Sequence, residues 1–294
     1  QSERWTGEVT LTGSVEVNWP YKLIIDAGTV IHMPSSATLT VNNFVRILGT
    51  ESSPVVFEAA EGATNWSGIY LNSSGAGSTI RYAHISDATY CIRSQGAPDE
   101  INNNRLSNCQ YGVYVNSGSP DISNNLIIEN AYAGIHVNNG NPQITYNTLD
   151  QNGNYGVYFS TSVVPTITNN IITRNTTGLY DYYGKYTGGY NNVWGNGTDY
   201  SRTSAAETDI SSDPQYVDAY AGDHHLLDSS PSKTASSSGG EIGAYGNGGA
   251  PPDSDEELST TPTLTGALTQ SERWTGEVTL TGSVEVNWPY KLII

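Results

Sequence analysis

The chain has 294 residues, of which only 14% are charged, with 12 Lys and Arg against 29 Asp and Glu and a net charge of −17. Ordinary soluble domains carry roughly 25% charged residues; here Gly, Asn, Ser, Thr and Tyr take their place, which is the composition of a turn-rich, extracellular all-β protein. A phosphate backbone demands clustered basic side chains, so nucleic acid is excluded as a partner, and no run of 18 apolar residues exists to insert into a membrane.

Residues 5–33 predict short strands at Val9–Leu11, Val15–Val17 and Leu23–Ile25, with Gly28 turning the chain into Val30–Met33. Residues 37–59 continue with 39–41, 45–47 and 55–57, and residues 66–92 with Gly68–Leu71 and two inward positions at Ile80 and Ile85. Apolar residues alternate with polar ones throughout, a strand period and not a helical one.

From Pro98 the pattern becomes a repeat of 21 to 23 residues: PDEINNNRLSNCQYGVYV, PDISNNLIIENAYAGIHV, PQITYNTLDQNGNYGVYF and PTITNNIITRNTTGLY. Ile101, Ile122, Ile144 and Ile167 form one column, and Leu106, Ile127, Leu149 and Ile172 another. Gly112, Gly134, Gly156 and Gly178 recur every 22 residues. Asn104, Asn125, Asn147 and Asn170 form a further column, extended to Asn192 in GGYNNVWGN, whereas the preceding coil has Ala83 at that place. Asn tolerates a left-handed turn, and its amide can bond the equivalent amide one coil away. The Gly column predicts corner positions free of Cβ constraint. A period near 22 holds three short strands and three turns, and one such repeat cannot bury its apolar face alone, so the repeats must stack into a solenoid. The fold class expected is all-β, a parallel β-helix of about 22 residues per coil.

These repeats resemble the right-handed parallel β-helix proteins of the pectin-lyase-like fold, of secreted or cell-surface type. The motif I-x-x-N-x-[LI]…N…G-[VI]-x-[VF] carries the resemblance over residues 78–196. LIIDAGTVIHM and NWSGIYL are similar to opening coils of secreted members; ISSDPQYVDAYAGDHHL and EIGAYG are similar to their closing segment, with PSKTASSSGG between them in place of the usual stretch. The resemblance implies an architecture and leaves activity open. It would imply a galacturonan hydrolase only with Asn-Thr-Asp, Asp-Asp, Gly-His-Gly and Arg-Ile-Lys strings, and none occurs. A lyase would gather a basic residue and calcium-binding carboxylates on one face. Arg105, Asp121, Glu129, Asp150 and Arg174 instead scatter over the columns. No catalytic residues and no enzyme are expected.

The outward column two residues after each Gly reads Arg93, Tyr114, His136, Tyr158, Tyr180. Aromatics spaced by about 4.8 Å can stack on sugar rings, and they equally stabilise a solenoid face without any ligand. Asp213, Asp218 and Asp223 beside His224 and His225, and Asp253, Asp255, Glu256 and Glu257 further on, lack the Gly and closing Glu of a calcium loop. Turn capping and a solvated charge run explain them, so no metal and no cofactor are expected. Sequons at Asn65, Asn72, Asn175 and Asn196 permit glycosylation. Cys91 and Cys109 lie on neighbouring coils; a disulfide and two buried thiols both fit, and a zinc site does not.

Residues 197–246 read as an irregular last coil and cap, closing a unit of residues 1–246. Residues 247–269 read as a Gly, Pro and acid-rich linker. Residues 270–294 then repeat residues 1–25 without a change, at an offset of 269. The chain opens at Gln1 without a signal peptide, which predicts a processed form or a window of a longer polypeptide. Together these features predict tandem units, the second copy starting the next one, with Trp274, Val278, Leu280, Val284, Val286 and Trp288 in the assembly contact. The expected function is a structural extracellular protein joined end to end as a filament, sheath or surface stalk, its partners being copies of itself or adjoining units head to tail. The alternative is a surface adhesin or carbohydrate-binding module that takes glycans on the tyrosine column; a polysaccharide lyase or hydrolase comes behind both.

Overall fold

A computed structural model describes residues 1–72, 77–96, 99–160 and 165–251, and the backbone of two-residue strands at Gly266–Ala267, Glu272–Arg273, Val284–Glu285 and Leu292–Ile293. The assembly residues Trp274, Val278, Leu280, Val286 and Trp288 fall outside the described residues, as does the side chain of Val284. So do the acidic residues Asp253, Asp255, Glu256 and Glu257.

Each coil contributes one strand to each of three parallel sheets. The first sheet has eight strands and the second and third have nine each, so the chain winds about nine times. The coil from Glu100 is typical: Glu100–Asn102 lies in the first sheet, Arg105–Ser107 in the second and Tyr111–Ser117 in the third. Every strand pairs with its equivalent one coil away, as in Ile101↔Ile122, Leu106↔Ile127 and Val113↔Ile135. Strand alternation therefore places Ile101, Leu106, Val113, Val115 and their equivalents in one continuous core with no exposure. Each such side chain contributes about 1.5–3 kcal/mol when fully buried. No α-helix occurs among the described residues.

The corners explain why the repeat is so regular. Between the first and second sheets the chain passes through one left-handed residue (Asn103, Asn124, Tyr146, Asn169 and Tyr190, all with φ of 55–61°). The next residue is the inward asparagine. The left-handed geometry thus belongs to the residue before the column, not to the column itself, because the inward amide needs its side chain in the core. Asn104 Nδ2 donates to Asn125 Oδ1 at 3.0 Å and to the Ile80 carbonyl at 2.9 Å. The same pattern runs through Asn125, Asn147 and Asn170. Each Oδ1 also accepts the backbone N–H of the preceding ladder residue, down to Ala83 N–H on Asn104. The ladder therefore starts at Asn104, as expected.

Its last rung differs from the expectation. Asn191, not Asn192, receives Asn170 (3.0 Å). Tyr190 takes the left-handed corner, so Asn191 turns inward and Asn192 begins the strand Asn192–Trp194. Asn192 Nδ2 instead donates to the Ser212 carbonyl and Ser232 Oγ, both at 2.8 Å.

A second ladder occupies the corner between the second and third sheets. Asn130, Asn152, Asn175 and Asn196 are linked by amide bonds of 2.9–3.1 Å, each following a left-handed residue or Gly195. At its start Cys109 stands in the asparagine position and donates its N–H to Asn130 Oδ1. Cys109 forms a disulfide with Cys91, Cα–Cα 5.8 Å. The Gly column serves this ladder. Gly112, Gly134, Gly156 and Gly178 have ordinary φ; a Cβ there would lie 2.8–3.2 Å from the ladder amides of Asn130, Asn152, Asn175 and Asn196. It would also meet the next coil's Gly134, Gly156 and Gly178 carbonyls and that of Asp199 at 2.6–2.8 Å. Close approach, and not a special φ, excludes a side chain.

Both ladders end on a carboxylate. Asp209 Oδ1 accepts from Asn191 N–H and Nδ2 (2.9 and 3.1 Å), and Asp199 Oδ1 does the same for Asn196 (3.1 and 2.9 Å). Asp209 Oδ2 also accepts the hydroxyls of Tyr186 and Tyr200.

Residues 224–251 do not simply cap the last coil. They run back along the outside of the second sheet, bonding Asn169, Thr148, Asn124 and Asn103 in turn. Ala250 N–H reaches Asn103 Oδ1, so this strap continues past the expected boundary at 246 into what the sequence suggests is linker. Beneath it the outward residues of the second sheet are apolar and buried. Leu126 and Ile128 pack on Ala244, and Ile171 packs on Leu226 and Ile242. Both faces of these strands are covered, so the alternation lapses into the runs LII and II.

Asn147→Ala removes an amide that satisfies the Ile122 carbonyl, Asn125 and Asn170. Unsatisfied buried groups cost about 1–3 kcal/mol each, so a loss of about 3 kcal/mol in chemical denaturation is expected, against under about 0.5 kcal/mol for exposed Asn139→Ala. Equal losses for the two variants would contradict the ladder.

Candidate functional site

The outward residues of the third sheet form a wall of aromatic rings. Register places Tyr70, Arg93, Tyr114, His136, Tyr158 and Tyr180 on successive coils, a column about 24 Å long at the usual inter-strand spacing. All are half-buried and point away from the core, as expected of Tyr114, His136, Tyr158 and Tyr180. A flanking column of Tyr90, Tyr111, Tyr132 and Tyr155 interleaves with it. Ring centroids lie 4.5 Å apart for His136–Tyr158, 4.8 Å for Tyr114–His136 and 5.1 Å for Tyr158–Tyr180. Tyr111 bridges the columns, 5.5 Å from Tyr114 and 5.7 Å from His136. Arg93, between Tyr70 and Tyr114 in the column, lies over the Tyr70 ring at 5.3 Å, and Arg202 lies over Tyr182 at 4.6 Å beside the Tyr180 end. The flanking column was not singled out in the sequence; the Tyr at the start of YGVYV and YGVYF was its signal.

Crowding sets the charge of this face. Burial, and then the neighbouring phenols, push the hydroxyls of Tyr111 and Tyr155 above their ordinary value. Burial likewise raises Tyr114 and Tyr158. Burial pushes His136 down to about 4, and its Nδ1 has no hydrogen-bond partner among the described residues. At neutral pH the wall is uncharged apart from Arg93 and Arg202: flat π-faces with hydroxyl donors at their rims. Such a surface can stack on apolar sugar faces and hydrogen-bond their hydroxyls.

Charges the sequence scatters over columns meet elsewhere. Asp150 and Arg174 lie on adjacent coils, and the strap adds His224. Asp150 Oδ1 accepts from Arg174 Nε and Thr173 Oγ1 (both 2.8 Å); Oδ2 meets Arg174 Nη2 and lies 3.0 Å from His224 Nε2. Tyr216 OH reaches Thr173 Oγ1 at 3.0 Å. The side chains of Asp150 and His224 are each 1% exposed, so the pair is a buried latch between strap and solenoid. Burial alone would raise the Asp150 carboxyl, but His224 and Arg174 together outweigh it and hold the group below the usual carboxylate value.

Two other acidic positions of the closing segment make turns, while Asp223 opens the strand Asp223–Leu226. Asp213 Oδ1 accepts Gln215 N–H and Asp218 Oδ1 accepts Ala221 N–H. Among the described residues no group of three or more acidic, His or Cys side chains is arranged to hold a metal. Asn175 and Asn196, read from the sequence as glycosylation acceptors, spend their amides inside the second ladder and are not free for modification in the folded chain. Asn65 is exposed; Asn72 lies half-buried near Asn42, and the rest of its sequon falls outside the described residues.

Three parallel sheets wound about one apolar core, inward amide ladders and an outward aromatic face define a parallel β-solenoid repeat protein. Residues 67–212 match the family model for the right handed beta helix region, and the fold is a right-handed parallel β-helix. No curated protein matches the chain.

Two pH windows follow. The unfolded His pKa is about 6.5, and that of folded His136 is about 4. The unfolded chain binds the extra proton, so stability falls as pH drops from about 6.5 towards 4. Thermal unfolding of His136→Tyr should lose this slope, and a slope unchanged in the variant would contradict it. Asp150 acts lower: its stabilisation is complete above the unfolded value of about 3.9 and is lost as pH falls through its depressed folded value. Asp150→Asn should lower stability by about 3 kcal/mol at pH 7 and flatten acid unfolding below pH 4; wild-type behaviour of that variant would show that the latch bears no load.

Proposed function

We propose that the chain is one unit of an extracellular structural protein, in which β-helix units follow one another along a filament, sheath or cell-surface stalk. The observation that carries this reading is the recurrence of residues 1–25 as residues 270–294, together with the pairing of the copy. Glu272↔Leu292 and Arg273↔Ile293 reproduce Glu3↔Leu23 and Arg4↔Ile24, offset by 269. The copy therefore starts the same first coil. The Cys91–Cys109 disulfide and the low content of charged residues support an oxidising, extracellular setting. The partners are then adjoining units or other copies of the chain, head to tail.

The aromatic wall supports a second reading, that the array presents the third sheet to glycans. Tyr114, His136, Tyr158 and Tyr180 would stack on sugar rings while the flanking tyrosines hold them upright. Turnover of a polysaccharide ranks behind both, since the Asp150–His224 pair lies beneath the strap.

A chain of two whole units should have a maximum dimension in solution scattering at least about 40 Å longer than one unit. A compact two-unit particle would count against the array, as would a gene in which the unit does not recur. For the glycan reading, Tyr158→Ala should weaken binding on a glycan array about tenfold, the worth of one aromatic stack; silence of the wild-type chain across neutral and uronate glycans would remove it.

A further inference from the structure

The two ends of the solenoid are built differently. At the C-terminal end both ladders stop on carboxylates, which accept and cannot pass the pattern on, and Tyr186 and Tyr200 close over Asp209. At the N-terminal end Trp5, Val9, Leu11 and Val15 only partly cover the core, and the third sheet ends on Val15–Val17, whose outer edge has no partner strand among the described residues. A cleft of about 330 Å³ opens along this edge, lined by apolar side chains such as Trp5, Val15 and Val17 and by polar ones such as Glu3, Glu16 and Lys22. An unpaired parallel edge beside a cleft of mixed polarity is a site for strand addition.

The second copy shows what fills it. Gly266 pairs with Val284 and Ala267 with Glu285, in parallel. Val284 and Glu285 are the copies of Val15 and Glu16. A strand of the third sheet followed by the first-sheet strand of the next coil is the order found throughout the solenoid. The segment Gly266–Ala267 thus holds the place of a preceding coil's third-sheet strand. The sequence around it, Thr-Leu-Thr-Gly-Ala-Leu at 263–268, echoes Thr-Leu-Thr-Gly-Ser-Val at 10–15, which leads into the strand Val15–Val17.

We propose that the free edge of Val15–Val17 is the docking site for the Thr263–Leu268 segment of a preceding unit, added as a parallel strand to the third sheet. This rests on the tandem reading and names its joint. Units are coupled by one linker strand that closes the open end of the next solenoid, while the Asp199 and Asp209 cap keeps each solenoid from continuing into its neighbour. The array is then a string of separately capped β-helices, not one uninterrupted helix.

The test extends the full chain at its N-terminus by residues 252–269, which sets the segment as far ahead of Val15–Val17 as it stands ahead of Val284–Glu285. Hydrogen exchange at the amides of Val15–Val17 should slow by about tenfold or more relative to the unextended chain, and Ala267→Pro in the added segment should abolish the slowing by removing a ladder N–H. Unchanged exchange, or equal slowing with and without the proline, overturns the strand joint. The unextended chain carries an internal control: Ala267→Pro in its own linker should speed exchange at Val284 and Glu285, and no change there counts against the joint. Elongated two-unit particles whose Val15–Val17 edge stays unprotected would refute the joint alone; a protected edge in a protein whose gene holds no further unit would refute the tandem reading alone.

Discussion

Turning a corner every few residues inside an apolar core strands backbone amides and carbonyls, and each stranded group in a medium of low polarity is costly. The two asparagine ladders are the answer to that constraint. One carboxamide has two donors and one acceptor oxygen with two lone pairs, which is what a corner demands: a carbonyl below to satisfy, a backbone N–H to receive, and a neighbouring amide to join. Asn125 does all three at once. The remaining features of the corner follow from it. The left-handed residue before each Asn aims the side chain inward, and in the second corner the Gly of the third sheet leaves the amide its space.

This scaffold separates its faces. The inward face is spent on stability, and the first sheet's outward face is solvated. The second sheet's outward face is covered in its later coils by a strap, held by small apolar contacts and pinned by Asp150 between Arg174 and His224. That leaves the third sheet, whose outward face carries half-buried tyrosines and one neutral histidine. Position on a sheet thus decides the setting of a side chain: Asp150 is a buried latch because it lies under the strap, while Tyr158, on the third sheet, stays partly exposed. The N-terminal edge is the other open surface, and its backbone groups have the same need for partners as the corners do.

The sequence by itself determined the solenoid, the strand period, the inward columns, the first asparagine ladder and the outward direction of Tyr114, His136, Tyr158 and Tyr180. These were legible because each depends on spacing along one coil, and a coil repeats its spacing. The tertiary structure decided whatever depends on contacts between distant segments or on space. Asn191 displaces Asn192 because Tyr190 takes the corner. The Gly column is set by the distance to an amide at the same corner one coil on. Asp150 and Arg174 meet because 24 residues bring adjacent coils into register, and His224 joins them only because the strap folds back. The disulfide stayed open in the sequence because two cysteines at different places in the repeat meet only once the corner between them is built. Sequence periodicity reads what a chain does again and again; contacts made once, by a strap, a cap or a joint, leave no period and appear only when the chain is folded.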